Sequence, residues 1–337
     1  MYSDKLKATF ESFNKQNILV IGDVMIDSYM WGKVDRISPE APVPIIAISK
    51  RENRMGGAAN VGLNVQAMGA KPIMCAIIGD DEYGVIFTNL LKKREMTDDG
   101  ILISNKRKTT IKTRVISDNQ HLLRVDEEES KPLTEDLESR FIEHIKSLFQ
   151  KYSFDAVIFE DYDKGNITPA IIDSVVKIAH SKNIPTLVDP KKRNFDFYQG
   201  VTLFKPNFKE ICEGSKEDIP KGDFNALNLA TKELLSRLKA KTIMVTLSEL
   251  GVFITDNGSY HQLPAEIRDI ADVSGAGDTV VSVAACCLAA KLPLQYIAAI
   301  SNLAGGLVCE KVGVVPIDKN DLLIESIEYF QSNSFSN

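Results

Sequence analysis

The sequence predicts an α/β protein: a mostly parallel central sheet covered by helices on both faces, with a small β-strand lid. Three observations carry this. Short apolar runs alternate with helical stretches along most of the chain, the pattern of parallel strands joined by crossover helices. Two stretches break that rhythm, about 28–50 with three prolines and about 101–126 rich in Thr, Ile, Val and basic residues; both read as extended lid strands. No repeat or low-complexity linker divides the chain, so residues 1–330 read as a single domain and 331–337 as a tail.

The elements follow in order. Asn17–Ile21 is an apolar run stopped by Gly22, a buried strand. Ala59–Met68 reads as a helix closed by Gly69, as glycine closes helices elsewhere. Lys71–Ile78 returns to strand and Tyr83–Arg94 to helix. In Leu133–Gln150, Leu137, Phe141, Ile145, Leu148 and Phe149 fall on one helical face. Asp155–Phe159 is a strand, Thr168–His180 a helix with Pro169 near its start, and Pro185–Val188 a strand again. Val201–Phe204 is a strand, Leu229–Leu238 a helix and Thr242–Leu247 a strand. Val280–Ala290 is apolar nearly all round, so it is a buried helix.

Composition narrows the function classes. The 337 residues are 44% hydrophobic and 26% charged, a folded and not a disordered balance. Forty basic against 46 acidic residues give a net charge of −6, which offers no overall basic surface for nucleic acid. No apolar run approaches the roughly eighteen residues of a membrane span, and Met1–Gln16 lacks the pattern of a signal peptide. Cys75, Cys212, Cys286, Cys287 and Cys309 form no CxxC, and the four histidines are scattered. Free thiols in a reducing cytoplasm, without zinc, are the expectation.

Chemistry concentrates in a few motifs. Asp272-Val-Ser274-Gly275-Ala276-Gly277-Asp278-Thr279 leads into the buried helix. Small residues allow close backbone approach, and the free amides of a first helical turn attract anions. Asp278 suits proton abstraction from an attacking hydroxyl, although an aspartate there also suits a simple cap. Gly56-Gly57-Ala58-Ala59-Asn60 opens another helix and suits a polyhydroxyl ligand, or merely a tight turn. Asp27 follows the first strand, on the side where open α/β sheets bind ligands, and suits sugar hydroxyls or is only a solvated loop residue. Asn207 and Glu210 share one helical face and suit a water shell around magnesium, or a plain helix cap. Lys191, Lys192, Arg193 and Lys205 lie close by in sequence and suit neutralising phosphates, or merely a surface basic loop. There is no P-loop, no G-x-G-x-x-G after the first strand, and no G-x-S-x-G. P-loop, nicotinamide and serine-hydrolase chemistry are thereby disfavoured.

These motifs in this order resemble the ribokinase/PfkB family of carbohydrate kinases, over roughly residues 17–325. The resemblance implies a ribokinase-like three-layer α/β/α sandwich with a lid that closes over the sugar. It implies Asp278 as catalytic base and Ser274, Gly275, Ala276 and Gly277 as anion hole. Asp27, Gly56, Gly57, Asn60, Arg124 and Lys164 would bind substrate, and Lys205, Asn207, Thr246, Ser248, Gly251 and Asn302 the nucleotide. Glu210 and Asn207 would hold Mg2+ of the ATP through water, and Asp272 with Val308–Gly313 resembles a loop for a monovalent cation such as K+. Within the family, Gly22–Asp27, Arg36-Ile-Ser-Pro-Glu-Ala-Pro-Val-Pro44, Asp161-Tyr-Asp-Lys-Gly165 and Val188-Asp-Pro-Lys191 are similar to the kinases of D-glycero-β-D-manno-heptose 7-phosphate. That similarity implies phosphorylation of the anomeric C1 hydroxyl, for nucleotide-activated heptose in lipopolysaccharide or surface glycan synthesis. The alternative is a relative acting on a ribose-like or fructose phosphate-like sugar. Arg36, Arg54, Lys112, Arg114 and Arg124 are candidates for the 7-phosphate. Glu160 and Met55 depart from the pattern, which usually has Ser and often Pro there. ATP and a sugar phosphate are the expected partners, with a homodimer through the lid, a cytoplasmic location and no nucleic acid or membrane. A separate nucleotidyltransferase would act downstream.

Overall fold

The computed structural model describes residues 2–333, apart from 119 and 257. In chain order the elements are α1 (Tyr2–Ser12), β1 (Asn17–Gly22), β2 (Val24–Ile37), β3 (Pro44–Gly57), α2 (Ala58–Ala67), β4 (Lys71–Gly79), α3 (Glu82–Lys93), β5 (Ile101–Ser104), β6 (Thr110–Ser117) and β7 (Gln120–Glu127). They continue as α4 (Glu135–Lys151), β8 (Ala156–Glu160), α5 (Pro169–Ser181), β9 (Thr186–Asp189), β10 (Leu203–Phe204), α6 (Phe208–Ser215), α7 (Phe224–Leu238), β11 (Thr242–Thr246), β12 (Val252–Thr255), β13 (Tyr260–Leu263), α8 (Ala276–Ala289), α9 (Leu294–Cys309) and α10 (Lys319–Ser332). The large sheet runs β13-β12-β11-β10-β9-β8-β1-β4-β5. It is parallel except where β12 pairs with β11 and β13.

Strand β1 shows why this is a three-layer fold. Ile18 and Val20 enter one hydrophobic core with residues of α1, α2, α8, α9 and α10. Leu19 and Ile21 enter a second core with α4, α5 and α7. The period of two sends successive side chains to opposite faces, and a continuous apolar run is what a strand buried on both faces requires. Each of the four contributes roughly 1.5–3 kcal/mol by leaving water.

A four-stranded sheet, β3-β2-β6-β7, stands apart from the large one. Strands β2 and β3 pair antiparallel from Val24↔Gly57 to Ile37↔Pro44, and β6 joins β2 in parallel. Outermost β7 is exposed along its whole length, Leu122, Leu123 and Val125 included. Two lid boundaries differ from expectation. The long hairpin spans 24–57 rather than about 28–50, so its root carries Asp27 and the Gly56-Gly57 pair. Ile101–Ser104 does not belong to the lid; it pairs in parallel with β4 in the large sheet. Gly100 permits this, because a side chain there would overlap the Met74 carbonyl. Its Ile-Leu-Ile composition fits either sheet, so the sequence pattern could not assign it. Helix α10 also runs past residue 330 to Ser332, and residues 334–337 of the expected tail lie outside the described residues.

Candidate active site

Register assembles the site. Gly22 pairs with Glu160, Glu160 with Asp189, and Phe204 with Val188, so the ends of β1, β8, β9 and β10 finish level. Their last or next residues, Glu160, Asp189 and Lys205, line one corner at the carboxyl edge of the sheet, where open α/β folds bind ligands. Lys205 is 2% exposed, and its Nζ lies 2.8 Å from Asp189 Oδ2. Burial alone would depress its pKa, but the Asp189 carboxylate beside it outweighs that and raises it.

Helix α8 enters this corner. Gly275 precedes it with φ 82°, a left-handed conformation that glycine adopts without strain. Ser274 N–H already donates to Asp272 Oδ1 at 2.9 Å and Ala276 N–H to the Val273 carbonyl at 3.3 Å. Gly277 and Asp278 belong to the first turn, whose amides have no intrahelical carbonyl to bond. The expected anion hole thus divides: in this conformer two of its amides hold the loop's shape. A side chain on Gly277 would come within 3.8 Å of both Asp189 Oδ2 and Lys205 Nζ, so that glycine faces the corner.

Asp278 is 8% exposed and accepts two hydrogen bonds, from Asn60 Nδ2 at 2.7 Å and from the Tyr162 hydroxyl at 2.8 Å. Burial raises its pKa to about 6, against the opposing effect of those two donors. Asn60, expected on the substrate, is turned onto this carboxylate. Tyr162 is held by the β1–β2 junction: Asp23 accepts the backbone N–H groups of Tyr162, Lys164 and Asn166. Burial, then the charge of Asp161, pushes Asp23 itself up to about 6. Tyr162 and Asp189 were visible in the sequence only inside motifs; their position at strand ends was the signal that they face the site.

The lid root carries the other expected group. Asp27 Oδ1 accepts from Arg114 Nη1 at 2.6 Å. A side chain at Gly56 would overlap the Asp27 carboxylate, and one at Gly57 (φ 58°) the Asp23 carbonyl, so both glycines make room at the hairpin root. Tyr29 is flanked by Arg54 and Arg114, 4.8 and 5.3 Å from its ring centre. The remaining basic candidates are dispersed. Lys112 bonds Asp126 and Glu128, Lys164 bonds Glu128, and exposed Arg124 bonds Asp126 on the outer strand. Arg36 pairs with Ile45 near the far end of the hairpin.

Asn207 and Glu210 form a capping box at α6, with Asn207 Oδ1 accepting from Glu210 N–H and Glu210 Oε2 accepting from Asn207 N–H, both at 2.9 Å. Lys191 Nζ takes Glu210 Oε1 at 2.6 Å. Thr246 ends β11 beside them, its N–H on the Pro206 carbonyl. Ser248 (φ 54°) and Gly251 (φ 84°) shape the turn that follows. Asn302 of α9 donates to the Pro264 carbonyl at 2.8 Å. Asp272 Oδ2 accepts Gly313 N–H at 3.0 Å, and Asp272 N–H reaches the Cys309 carbonyl, so the two parts of the expected cation loop are joined.

A parallel α/β/α sandwich with a glycine-loop helix start, a buried carboxylate in its first turn and a separate β lid defines an ATP-dependent sugar kinase. The chain belongs to the pfkB family of carbohydrate kinases, whose family model matches residues 15–320. It is similar to "Bifunctional protein HldE" of Trichlorobacter lovleyi, 35% identical over 331 residues, 98% of this chain and 67% of that protein. The protein of the same name in Acidiphilium cryptum is 37% identical over 318 residues, 94% of this chain and 65% of the relative. The relative in Syntrophotalea carbinolica is 36% identical over 305 residues, 90% of this chain and 61% of its own length. The chain thus spans about two thirds of these relatives. Among solved structures, Escherichia coli phosphofructokinase-2 in complex with potassium superposes with a TM-score of 0.74 at 18% identity, covering 94% of this chain and 99% of that one. Arabidopsis thaliana ribokinase with ribose and ATP gives 0.68 at 15%, covering 91% and 98%. Both show the ribokinase-like fold. Among the described residues no helix is long and apolar enough to cross a membrane.

Proposed function

We propose that this kinase transfers the γ-phosphoryl group of ATP to the anomeric C1 hydroxyl of D-glycero-β-D-manno-heptose 7-phosphate. The observation that carries this reading is the lid root: Asp27 for sugar hydroxyls stands bonded to Arg114, with Arg54 on the other side of Tyr29. One guanidinium on a hydroxyl-binding carboxylate and a second across Tyr29, itself held by Glu52, suit a sugar that bears its own phosphate, since arginine matches phosphate geometry. The long Arg36–Pro44 motif supports the heptose within that class.

In this reading Asp278 takes the proton as the C1 oxygen bonds the γ-phosphorus and the bond to the β-phosphate oxygen breaks. Asn60 and Tyr162 aim the carboxylate. The Ser274–Gly277 loop and Lys205 stabilise charge on the transferring group. Gly57 and Lys164 help to enclose the sugar, and Thr246, Ser248, Gly251 and Asn302 flank the nucleotide. Both Glu210 oxygens already accept hydrogen bonds, so magnesium, which keeps several waters, fits there through its hydration shell with Asn207 beside it. Bound magnesium neutralises phosphate charge. The joined Asp272 and 308–313 segments suit a monovalent cation such as K+. The exposed apolar residues of β7 suit a homodimer through the lid. A nucleotidyltransferase would act later on the sugar 1-phosphate, and five unpaired cysteines suit a reducing cytoplasm.

The test is a panel of sugars and sugar phosphates in a coupled ADP-release assay, with NMR of the product to read the phosphorylated position. Turnover of heptose 7-phosphate at C1 is expected. Turnover of ribose or a fructose phosphate with none of the heptose would replace this substrate.

A further inference from the structure

Glu160 ends β8 only 1% exposed, and its Oε2 has no hydrogen-bond partner. One of its carboxyl oxygens lies within 4.8 Å of a carboxylate oxygen on both Asp189 and Asp278. Three carboxylates this close in a dry corner do not all ionise; the proton settles on the member whose charge is least supported. Asp189 carries the Lys205 ammonium at 2.8 Å, with Lys191 at 3.8 Å. Asp278 accepts from Asn60 and Tyr162, which favour its charged form. Among the described residues, neither an ammonium nor a donor is bonded to Glu160 Oε2.

We infer that Glu160 works as a neutral carboxylic acid, a positioning residue that fills the space behind Asp189 and Asp278 without adding a third negative charge where the phosphoryl group arrives. The surroundings agree from every side. Asp278 faces it from α8, Asp189 and Lys191 from the end of β9, and Lys205 from the end of β10. Tyr162 and Tyr198 also lie near it, and Asp23 N–H at the β1–β2 junction donates to its backbone carbonyl. Burial, then Asp189 and Asp278, push Glu160 well above its ordinary 4.5, with Lys205 and Lys191 pulling only partly back.

The inference rests on Asp278 as the reacting base, but its first test needs no sugar. Infrared difference titration of the whole enzyme at about pH 7.5, roughly three units above an ordinary glutamate, should show a protonated carboxyl band that Glu160→Gln removes. At that pH Asp23 and Asp278, each near 6, are mostly ionised. A missing band, or the same band in the variant, overturns the inference. Thermal melting provides a second reading. A native glutamate that keeps a proton the unfolded chain releases loses stability as pH rises from 4.5 through its folded pKa. The Tm advantage of Glu160→Gln should therefore widen with pH, whereas a gap independent of pH overturns it. In the kinase assay, Glu160→Gln, which keeps the neutral shape, should retain about tenfold more kcat than Glu160→Ala; equal losses in the two variants would overturn the inference.

Discussion

The strand-end corner and the lid root both gather charge, but under opposite conditions. In the corner Asp278, Asp189 and Lys205 are 8%, 6% and 2% exposed, and each is held by one or two partners. On the lid, Lys112, Arg114 and Arg124 keep 16%, 21% and 59% of their side chains in solvent, and Lys112 and Arg124 share Asp126. Water screens the second set and hardly reaches the first. Charge in the corner is therefore adjusted through pKa and geometry, whereas charge on the lid is adjusted through number and reach. Substitutions should cost turnover in the corner and affinity on the lid.

The largest effect that follows is at Asp278. Asp278→Asn should reduce kcat by about 10²- to 10⁴-fold, the range of a general base, while calorimetric ATP affinity stays near that of the parent. Comparable loss of ATP binding would move Asp278 from proton transfer to ligand binding, and would erase the distinction between the regions. On the lid, Arg114→Ala should raise KM for the sugar phosphate by about tenfold or more with a much smaller change in kcat, because it removes a charge-assisted partner and leaves Asp27 unpaired. Arg114→Lys should recover only part of this, since an ammonium lacks the planar fork. A kcat defect equal to the KM defect would mean that the lid acts on the chemical step.

The acid limb tests the corner more finely. Asp278 must be ionised to accept a proton, so kcat/KM should rise with pH through about 6. Tyr162→Phe removes a donor to the charged form; the Asp278 pKa then rises, and the limb should move to higher pH by up to about one unit. The loss should be several-fold near pH 6 and slight near pH 8. A uniform loss at all pH values would show that Tyr162 does no more than fill space.

The two regions also differed in how far the sequence disclosed them. The alternation of apolar runs made β1, β4, β8, β9 and their helices legible, because strands buried on both faces leave no polar positions to confuse the pattern. Asp278 was legible because its glycine loop is local. Its partners were not: Asn60 lies 218 residues away and Tyr162 116, and only strand register brings Glu160, Asp189 and Lys205 level. On the lid, Ile101–Ser104 went astray because β-branched composition marks a strand without saying which sheet accepts it. Asn207 and Glu210 showed their spacing, which a capping box and a metal shell share.

Arg124 offers the smallest effect and the sharpest limit on the comparison. It sits opposite Arg114 across the β6–β7 ladder, yet its side chain is 59% exposed and bonds Asp126, which Lys112 also holds. An exposed ion pair of this kind contributes about 0–1 kcal/mol, and Asp126 keeps a cation when Arg124 is lost. Arg124→Ala should therefore change KM by no more than about threefold, and the change should fade as salt is raised. A tenfold rise in KM that persists at high salt would mean that Arg124 meets the substrate phosphate in a closed lid. The outer strand would then belong with the corner, as a place where ligand binding strips water from charge.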